Sequence, residues 1–503
     1  MGTTSLYTRI DLGSDQIESA LLESGLLVVP SGQSLRFCHI SYNSKDIREG
    51  TLFICKGERF KEEYLDEAIR NGATCYVSET GFGRDAACLL VSDVRKAMAI
   101  IAREAYGYGM DSMTLIAVTG SKGKTTTTRF LFDAICKAAC GKAAYTSTTG
   151  FFDGTSFGEH PNHNTTMESL DTYRVIRRAL DSGVRYMIIE ASSQAAKLDR
   201  LYGIEFDYGI FTSIDRDHIS PNEHRDFSDY LSAKIDIMAQ CRAILANRAL
   251  LLRHPIIAEK LRPRKIYTYG TKDGCDFQAG PVRCEGRGYA FSFRDNLSPD
   301  NYAATVAFSL FGEYNALNAT AAAAIIRLAG ISGADLENGF ASTEIEGRSE
   351  VFEGFLCPVI VDYAHNRLSA DEFYKAVSAK YPNARIIAVF GCPGNKAENR
   401  RKDLGQTVGA YASYVYVTTE DPADEEFSDI AGEIIDNLPS EVGRCAIEDR
   451  EEAIIRALDC AKPEDVITII GKGDEKSFTR KGVTTPYKGD VQVVSEYLAG
   501  RAV

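Results

Sequence analysis

Short hydrophobic runs, most of them ended by polar residues or glycine, recur along the whole chain and alternate with segments of helical periodicity. Near the start, residues 51–55, 74–77 and 88–91 form such runs, and residues 63–71 have the spacing of an amphipathic helix. This alternation is typical of α/β proteins with largely parallel sheets. The first part of the chain therefore predicts a small α/β domain.

The middle of the chain repeats the alternation with longer elements. A run at 115–118 precedes the stretch TGSKGKTTTT, and RYMIIEAS and DYGIFTSI precede a helical segment, DYLSAKIDIMAQC. This order predicts a doubly wound parallel sheet. The pattern breaks around Gly107 and again at EIEGRSE, which divides the chain into predicted domains 1–110, 111–340 and 341–503.

The last part of the chain predicts a third, Rossmann-like α/β domain. Its strand-like runs are PVIVDYAH, ARIIAVFG, SYVYVTTED and DVITIIGKG, and each ends in polar or glycine residues. Open α/β sheets bind ligands at the carboxyl ends of their strands. We therefore expect function to concentrate where the central and C-terminal domains face each other.

The net charge indicates which class of partner is unsuitable, and the cysteine usage indicates the cellular compartment. With 503 residues and a formal net charge of -13, the chain is a poor match for nucleic acid as its main partner. Its 13 cysteines are scattered and form no C-x-x-C pair. This usage and the lack of a recognisable signal peptide indicate reduced thiols in the cytoplasm. No apolar run approaches the roughly 20 residues of a membrane span.

The stretch TGSKGKTTT predicts a phosphate-binding loop between a strand and a helix. Backbone amides of Gly120, Ser121, Lys122 and Gly123 can point at phosphate oxygens. Lys124 adds a positive charge, and the hydroxyl of Thr125, next to Thr126, is placed to ligate magnesium. The competing interpretation is a plain glycine turn with an exposed lysine.

Three further residues are candidate metal ligands, each with an ordinary alternative. Glu190 ends a hydrophobic strand and is either a ligand or a strand-end cap. His218 follows the next strand and, beside a phosphate loop, is a candidate for a second metal rather than a packing histidine. Lys234 lies on a predicted helix, where most lysines are surface charges.

Taken together, the motifs resemble those of the Mur ligases, most of all the UDP-N-acetylmuramoyl-tripeptide synthetases. The resemblance covers nearly the whole chain in the right order. The motifs are TGSKGKTTT, NTTMESL, EASSQA, RDHIS with SAK, GEYNALNATAA, EGRSEVFE, VDYAHN, GCPGNK, TTEDPADE and GKGDE.

This resemblance implies an ATP-dependent ligase with a UDP-binding N-terminal domain, a central ATPase domain and a C-terminal domain that binds an amino acid. A carboxylate is phosphorylated by ATP, and an amine then attacks the acyl phosphate. Lys124 would bind the β- and γ-phosphates, and Thr125 and Glu190 the first magnesium. His218 would hold the second magnesium together with Lys234, which is N-carboxylated in the family.

The resemblance also assigns the remaining nucleotide and substrate contacts. Asn318, which could also be only a helix cap, would contact adenine, and Arg348, Asp362 and His365 would close over ATP. Asp362 alone could be a strand-end cap. Ser44, Thr165, Thr166 and Ser193 would contact UDP-N-acetylmuramoyl-L-alanyl-D-glutamate, and the threonines could also cap a helix.

The amino acid is predicted from the end of a C-terminal strand. Relatives that add diaminopimelate carry Asp-Asn-Pro-Arg there, whereas this chain has Glu420, Asp421, Pro422 and Ala423, followed by more acidic residues. Without the arginine, which would clamp a distal carboxylate, L-lysine is the first choice, ahead of ornithine or diaminopimelate. Lys396, Gly471 and Glu475 would complete the amino-acid site.

Two other functions remain open from the sequence. Departures in the N-terminal motif, Asn43-Ser44-Lys45, and in GKGDE leave room for a ligase that acts on a different carboxylate. A non-catalytic nucleotide-binding regulator is the third hypothesis, although binding alone would not require two metal positions. We expect a monomer.

Overall fold

The computed structural model describes residues 6, 8–57, 60–138, 142–160, 164–216, 219–220, 223–286, 288–332, 335–353, 355–395 and 399–501. Three main sheets of five, twelve and six strands follow one another along this part of the chain. The division into domains at 110 and 340 stays a prediction. No helix among these residues is long and apolar enough to cross a membrane.

The first sheet confirms the small α/β unit predicted near the start of the chain. Its strands lie in the order β2-β7-β6-β5-β4, and β1 pairs separately with β3. The strands are Leu12–Gly13 (β1), Leu27–Val29 (β2), Arg36–Phe37 (β3), His39–Ser41 (β4), Thr51–Ile54 (β5), Ala73–Ser78 (β6) and Ala87–Val91 (β7). The helices are Ser14–Glu23 (α1), Glu62–Arg70 (α2) and Val94–Tyr106 (α3).

The central sheet has the order β11-β10-β9-β12-β8-β13-β14-β15-β16-β18-β17, and β19 pairs with β18. Its strands are Thr114–Thr119 (β8), Ala143–Ser147 (β9), Gly150–Phe152 (β10), Phe157–Gly158 (β11), Tyr186–Glu190 (β12), Phe206–Phe211 (β13), Cys241–Asn247 (β14), Lys265–Gly270 (β15), Phe277–Ala279 (β16), Arg283–Glu285 (β17), Gly288–Asp295 (β18) and Ala303–Phe308 (β19). Its helices are the short 3₁₀ turn Met110–Ser112 and Lys124–Ala138 (α4), Ser169–Asp181 (α5), Ser193–Lys197 (α6), Phe227–Ala239 (α7), Arg248–Arg253 (α8), Ile256–Lys260 (α9) and Asn315–Leu328 (α10).

The predicted parallel sheet is present in the centre, but antiparallel strands extend it at both ends. Strands β9, β12, β8, β13, β14, β15 and β16 are parallel, but β10 and β11 on one side and β17, β18 and β19 on the other are antiparallel. The connection between β9 and β10 explains why the sheet turns antiparallel at the first of these ends. Only Thr148 and Thr149 separate β9 from β10, and so short a link permits a hairpin but not a parallel crossover.

The third sheet has the order β20-β21-β25-β22-β23-β24, parallel except at β20. All four predicted strands are confirmed. The strands are Glu350–Phe352 (β20), Val359–Asp362 (β21), Arg385–Phe390 (β22), Tyr414–Val417 (β23), Gly443–Ala446 (β24), Asp465–Ile470 (β25), Ser477–Arg480 (β26) and Val483–Pro486 (β27), the last two forming a hairpin. The helices are Arg367–Lys380 (α11), Asn399–Gly409 (α12), Phe427–Asp436 (α13), Arg450–Asp459 (α14) and Asp490–Arg501 (α15).

The hydrophobic cores show how the sheets are held together. Side chains of the N-terminal sheet share one continuous cluster with α5 and α7 of the central unit. Phe340 and Ile345 pack into the other core of the central sheet, although they lie at or just beyond the predicted boundary at 340. The linker to the third sheet is therefore anchored on the central unit up to about that point.

Candidate active site

A cleft of 290 Å³ lies between the central and the C-terminal sheets. Its central side is formed by the glycine-rich loop, Glu190 and Asn318, and its C-terminal side by Arg348, Asp362 and His365. Polar residues from the facing edges of the two sheets therefore line one cleft. The cleft is lined by twelve predicted site residues: Ser121, Lys122, Gly123, Lys124, Thr125, Thr126, Thr165, Glu190, Asn318, Arg348, Asp362 and His365.

The glycine-rich loop connects β8 to α4, as the sequence predicts. Gly120 has a φ of 150° and Gly123 a φ of 80°, which favours glycine at both positions. The amide of Ser121 donates to the Ser213 carbonyl at 2.9 Å, and Lys124 Nζ donates to the Ser121 carbonyl at 3.3 Å. The loop is thus held in shape by the end of β13, and α4 begins at its far end, where a helix attracts anions.

Gly123 offers a direct test of this loop. A Cβ at Gly123 would collide with the Asn318 side chain, so Gly123→Ala is expected to lower the free energy of unfolding by about 1–3 kcal/mol. It is also expected to weaken nucleotide binding by about tenfold or more, because the loop must move away from its anion-binding shape. Chemical denaturation and an ADP titration measure the two effects.

The matched control is Gly183→Ala. Gly183 has a φ of +78°, but no atom of the described part of the chain lies within 4 Å of the added Cβ. It should lose stability through backbone strain alone and bind nucleotide normally. Equal ADP affinity in both variants would show that the loop does not hold phosphate.

Glu190 and Thr125 form the centre of the site. Thr125 Oγ1 lies 3.1 and 3.0 Å from the two carboxylate oxygens of Glu190, which is only 1% exposed. Thr148, a residue that the sequence did not reveal, donates its amide to Glu190 Oε2 at 3.0 Å. A buried carboxylate next to a hydroxyl supplies the oxygen ligands that magnesium prefers.

Lys234 lies at the other end of the loop. It is 1% exposed, and its Nζ donates to the Gly120 carbonyl at 2.9 Å and lies 4.5 Å from the Tyr230 ring centroid. The surface-charge interpretation of Lys234 is therefore wrong. His218 lies outside the described residues. Within the described part of the chain, no group of three or more His, Cys, Asp and Glu side chains could hold a metal by itself.

On the C-terminal side, Asp362 organises the wall of the cleft. It accepts from the amides of Ser349 at 2.7 Å and Ala364 at 2.8 Å, and burial raises its pKa. Arg348 lies over the Tyr363 ring, 3.8 Å from its centroid. On the central side, Asn318 accepts from Thr127 at 3.4 Å.

A second group of charges lies at the ends of β23 and β25. The ammonium of Lys472, whose side chain is completely buried, donates to Asp421 at 3.3 Å and to Glu475 at 3.0 Å. Burial raises the pKa of Glu420 to about 7, and Glu420 Oε2 has no hydrogen-bond partner among the residues that the structure describes. Gly471 has a φ of 110°, and a Cβ there would lie 3.4 Å from the Glu420 carboxylate.

Two of the three carboxylates in the acidic run after Ala423 form ion pairs, and the third, Asp424, is exposed and accepts from the Asn395 amide at 2.7 Å. Glu425 is paired with the buried Arg401 at 2.7 Å, and Glu426 with Arg480 and Lys481 at 3.1 Å. The carboxylates that lie beside Lys472 at the strand ends are Asp421 and Glu475, with Glu420 next to them. Ala423 itself has a φ of 49°. Lys396 lies outside the described residues.

The predicted contacts to the acceptor substrate are spread over two places. Thr166 Oγ1 donates to the Glu190 carbonyl at 2.8 Å and lies 3.2 Å from Ser192 Oγ, whereas Ser193 is buried at the start of α6. Thr165 lies 3.2 Å from Thr148. Ser44 is buried, and its hydroxyl donates to Glu67 at 2.5 Å, within the N-terminal unit.

A cationic cluster near these threonines was also missed by sequence reasoning. Lys56, Arg95 and Arg200 all pair with Glu168, at 3.0, 3.3 and 3.1 Å. Arg200 also donates to the Thr166 carbonyl at 3.0 Å. Three cations around one carboxylate leave excess positive charge beside the predicted acceptor site.

Comparison with known protein families identifies two segments. Residues 118–326 match the family model described as Mur ligase middle domain, and residues 347–473 match the model described as Mur ligase, glutamate ligase domain. These matches cover the glycine-rich loop, Glu190, Lys234 and the C-terminal wall of the cleft.

Comparisons over nearly the whole chain find enzymes of the same kind. The chain is 33% identical over 482 residues to a UDP-N-acetylmuramyl-tripeptide synthetase of Lactobacillus acidophilus, covering 92% of each chain. It is 36% identical over 469 residues to a UDP-N-acetylmuramoyl-L-alanyl-D-glutamate--L-lysine ligase of Streptococcus agalactiae, covering 93% of each. The fold is similar to an ADP complex of the Thermotoga maritima MurF ligase, with a TM-score of 0.65 at 19% identity and coverage of 92% and 97%.

Proposed function

Because this chain belongs to the Mur ligase family, we propose that it uses ATP to join an amino acid to UDP-N-acetylmuramoyl-L-alanyl-D-glutamate, through an acyl phosphate. The observation that carries the proposal is the cleft in which a phosphate loop and the Thr125–Glu190 pair face Arg348 and Asp362 of the next domain. Such a ligase makes a peptidoglycan precursor. We place it in the cytoplasm, where its nucleotide substrates are.

The residues of the cleft suit ATP. Ser213 accepts from the amides of Ser121 and Lys122 and so fixes the loop, Gly123 brings the chain to the start of α4, and Lys124 adds a cation there. A free carboxylate is a poor electrophile, and phosphorylation gives it a leaving group. Positive charge at the loop offsets the repulsion between that carboxylate and the γ-phosphate.

Magnesium fits the pair formed by Thr125 and Glu190, because both contribute oxygen atoms to one buried spot. When bound, it would neutralise phosphate charge during transfer. Arg348 and Asp362 face this spot from the other domain. Closure of the two domains over the nucleotide would exclude water, which otherwise hydrolyses an acyl phosphate.

We assign Lys234 as the site of N-carboxylation. Its amine is buried beside the phosphate loop, where it donates to the Gly120 carbonyl at 2.9 Å. The amine would attack carbon dioxide, form an N–C bond and release a proton. The product is an oxygen ligand made from a base, which suits a second magnesium shared with His218.

The amino acid that best fits the pocket is L-lysine. Glu420, Asp421 and Glu475 carry more negative charge than Lys472 offsets, which favours a side-chain ammonium. Ala423 offers no cation to a distal carboxylate. Ornithine fits the same charges with a shorter reach, and diaminopimelate would bring its second carboxylate towards three acidic groups.

The amino-acid pocket predicts that the KM for the amino acid depends on pH. Since the pKa of Glu420 is raised to about 7, an incoming ammonium favours its ionised form and binding releases a proton. The amino-acid KM is therefore expected to rise as the pH falls through 7, by up to about tenfold per pH unit. Steady-state kinetics measure this, with the KM for ATP as the internal control.

The variant Glu420→Gln tests the assignment. Its amino-acid KM should no longer depend on pH in this range, and a pH profile equal to that of the wild type would remove Glu420 from the pocket.

The proposal is tested by phosphate release from the pure protein with ATP, the UDP-linked dipeptide and a panel of L-lysine, L-ornithine and meso-diaminopimelate. Turnover with lysine, and a product of the matching mass, is the expected result. Turnover with diaminopimelate but not lysine would refute the amino-acid assignment. If the dipeptide is inert while another carboxylate supports turnover, the acceptor assignment fails.

A further inference from the structure

Tyr363 lies between the two halves of the proposed site. It follows β21 directly, and its ring lines the nucleotide cleft. On one side, the guanidinium of Arg348 lies 3.8 Å from the ring centroid, and His365 meets the ring at 4.6 Å. On the other side, the Tyr363 hydroxyl donates to Glu475 Oε1 at 2.9 Å.

Glu475 in turn connects to the amino-acid pocket. Its second oxygen accepts from Lys472 Nζ at 3.0 Å, and Lys472 also binds Asp421. The connection is possible because β21 and β25 are adjacent parallel strands, whose carboxyl ends lie side by side. Gly473 brings the β25 loop close: a Cβ there would lie 3.0 Å from Tyr363 Cβ.

We propose that Tyr363 is a positioning residue that holds Glu475 in the amino-acid pocket while its ring supports Arg348 of the nucleotide cleft, an inference that rests on the proposed function. The Glu475 side chain is 35% exposed, but a carboxylate whose two oxygens accept from a phenol and from an ammonium has one favoured orientation. Burial raises the pKa of Tyr363 well above its usual value, so its hydroxyl remains a donor.

The roles of the Tyr363 hydroxyl and of the Tyr363 ring can be tested separately. Tyr363→Phe keeps the ring under Arg348 and removes only the donor to Glu475. It is expected to raise the amino-acid KM by about tenfold, as the loss of one hydrogen bond to a charged group implies. The KM for ATP should change by less than about twofold, because the contact with Arg348 remains. A simple loss of folding would not split the two constants in this way.

Tyr411→Phe is the matched control. Tyr411 also donates to a carboxylate at 2.9 Å, that of Asp371, within the same unit but away from both pockets. Both of its KM values should equal those of the wild type. An amino-acid KM for Tyr363→Phe that matches the wild type, or one that Tyr411→Phe raises equally, would overturn the proposal.

A double-mutant cycle with Glu475→Gln completes the test. If Tyr363 acts through Glu475, the double variant should have the same amino-acid KM as Glu475→Gln alone, and the two changes should couple in the free energy of unfolding. Independent, additive effects would overturn the proposal. The unfolding cycle needs no turnover, so a wild type that joins no amino acid would refute the proposed function without deciding the role of Tyr363.

Discussion

Replacing Glu190 with glutamine is expected to lower kcat by about 10³-fold while leaving the protein folded. Glutamine has the shape of glutamate and can still accept from the Thr148 amide, which lies 3.0 Å from Glu190 Oε2. It has no charge to offset a divalent cation at the phosphate loop. Initial-rate kinetics at saturating ATP and magnesium measure the effect, and a melting curve confirms folding.

Glu205→Gln is the control for this change. Glu205 lies just before β13, is largely exposed and pairs with Arg242 at 3.5 Å. It should retain the wild-type kcat. A Glu190→Gln enzyme whose kcat lies within about tenfold of the wild type would contradict a role for this carboxylate in holding the metal.

The second large effect is expected at Lys234. Lys234→Ala should lower kcat by about 100-fold or more while binding an ATP analogue normally, because the carbamate and not the nucleotide contact is lost. Calorimetry gives the analogue affinity. Acetate or bicarbonate is expected to restore part of the rate by supplying a carboxylate to the vacated position.

The carbamate at Lys234 can also be detected without measuring enzyme activity. Wild-type protein equilibrated with ¹³C-labelled bicarbonate should show a carbamate carbon resonance that is absent in Lys234→Ala. Lys260→Ala is the control, since Lys260 is an exposed lysine on α9 whose ammonium donates to Ser232 Oγ at 3.4 Å. Full activity in Lys234→Ala would exclude the carbamate.

Much of the fold could be predicted because parallel strands are buried on both faces and read as hydrophobic runs. The same runs placed the glycine-rich loop, Glu190 and Asp362 at strand ends. The antiparallel ends of the central sheet were missed, since an extended run does not indicate the direction of its partner. For β10, the direction follows from the two-residue link at Thr148 and Thr149, which permits only a hairpin with β9.

The contacts that tune the site could not be predicted in the same way. Thr148 meets Glu190, and Tyr363 meets Glu475, only through the register of neighbouring strands. A lysine such as Lys472 looks like an ordinary polar residue until three carboxylates are seen around it. Glu425 looks available until Arg401 is found buried beside it.

The central claim is that ATP activates the acceptor as an acyl phosphate at the Thr125–Glu190 cleft. The most direct measurement uses acceptor whose reacting carboxylate is labelled with ¹⁸O, followed by mass analysis of the inorganic phosphate that is released. One labelled oxygen per phosphate is the predicted result, because the carboxylate oxygen leaves with the phosphoryl group. Phosphate without the label, formed along with peptide product, would contradict the account.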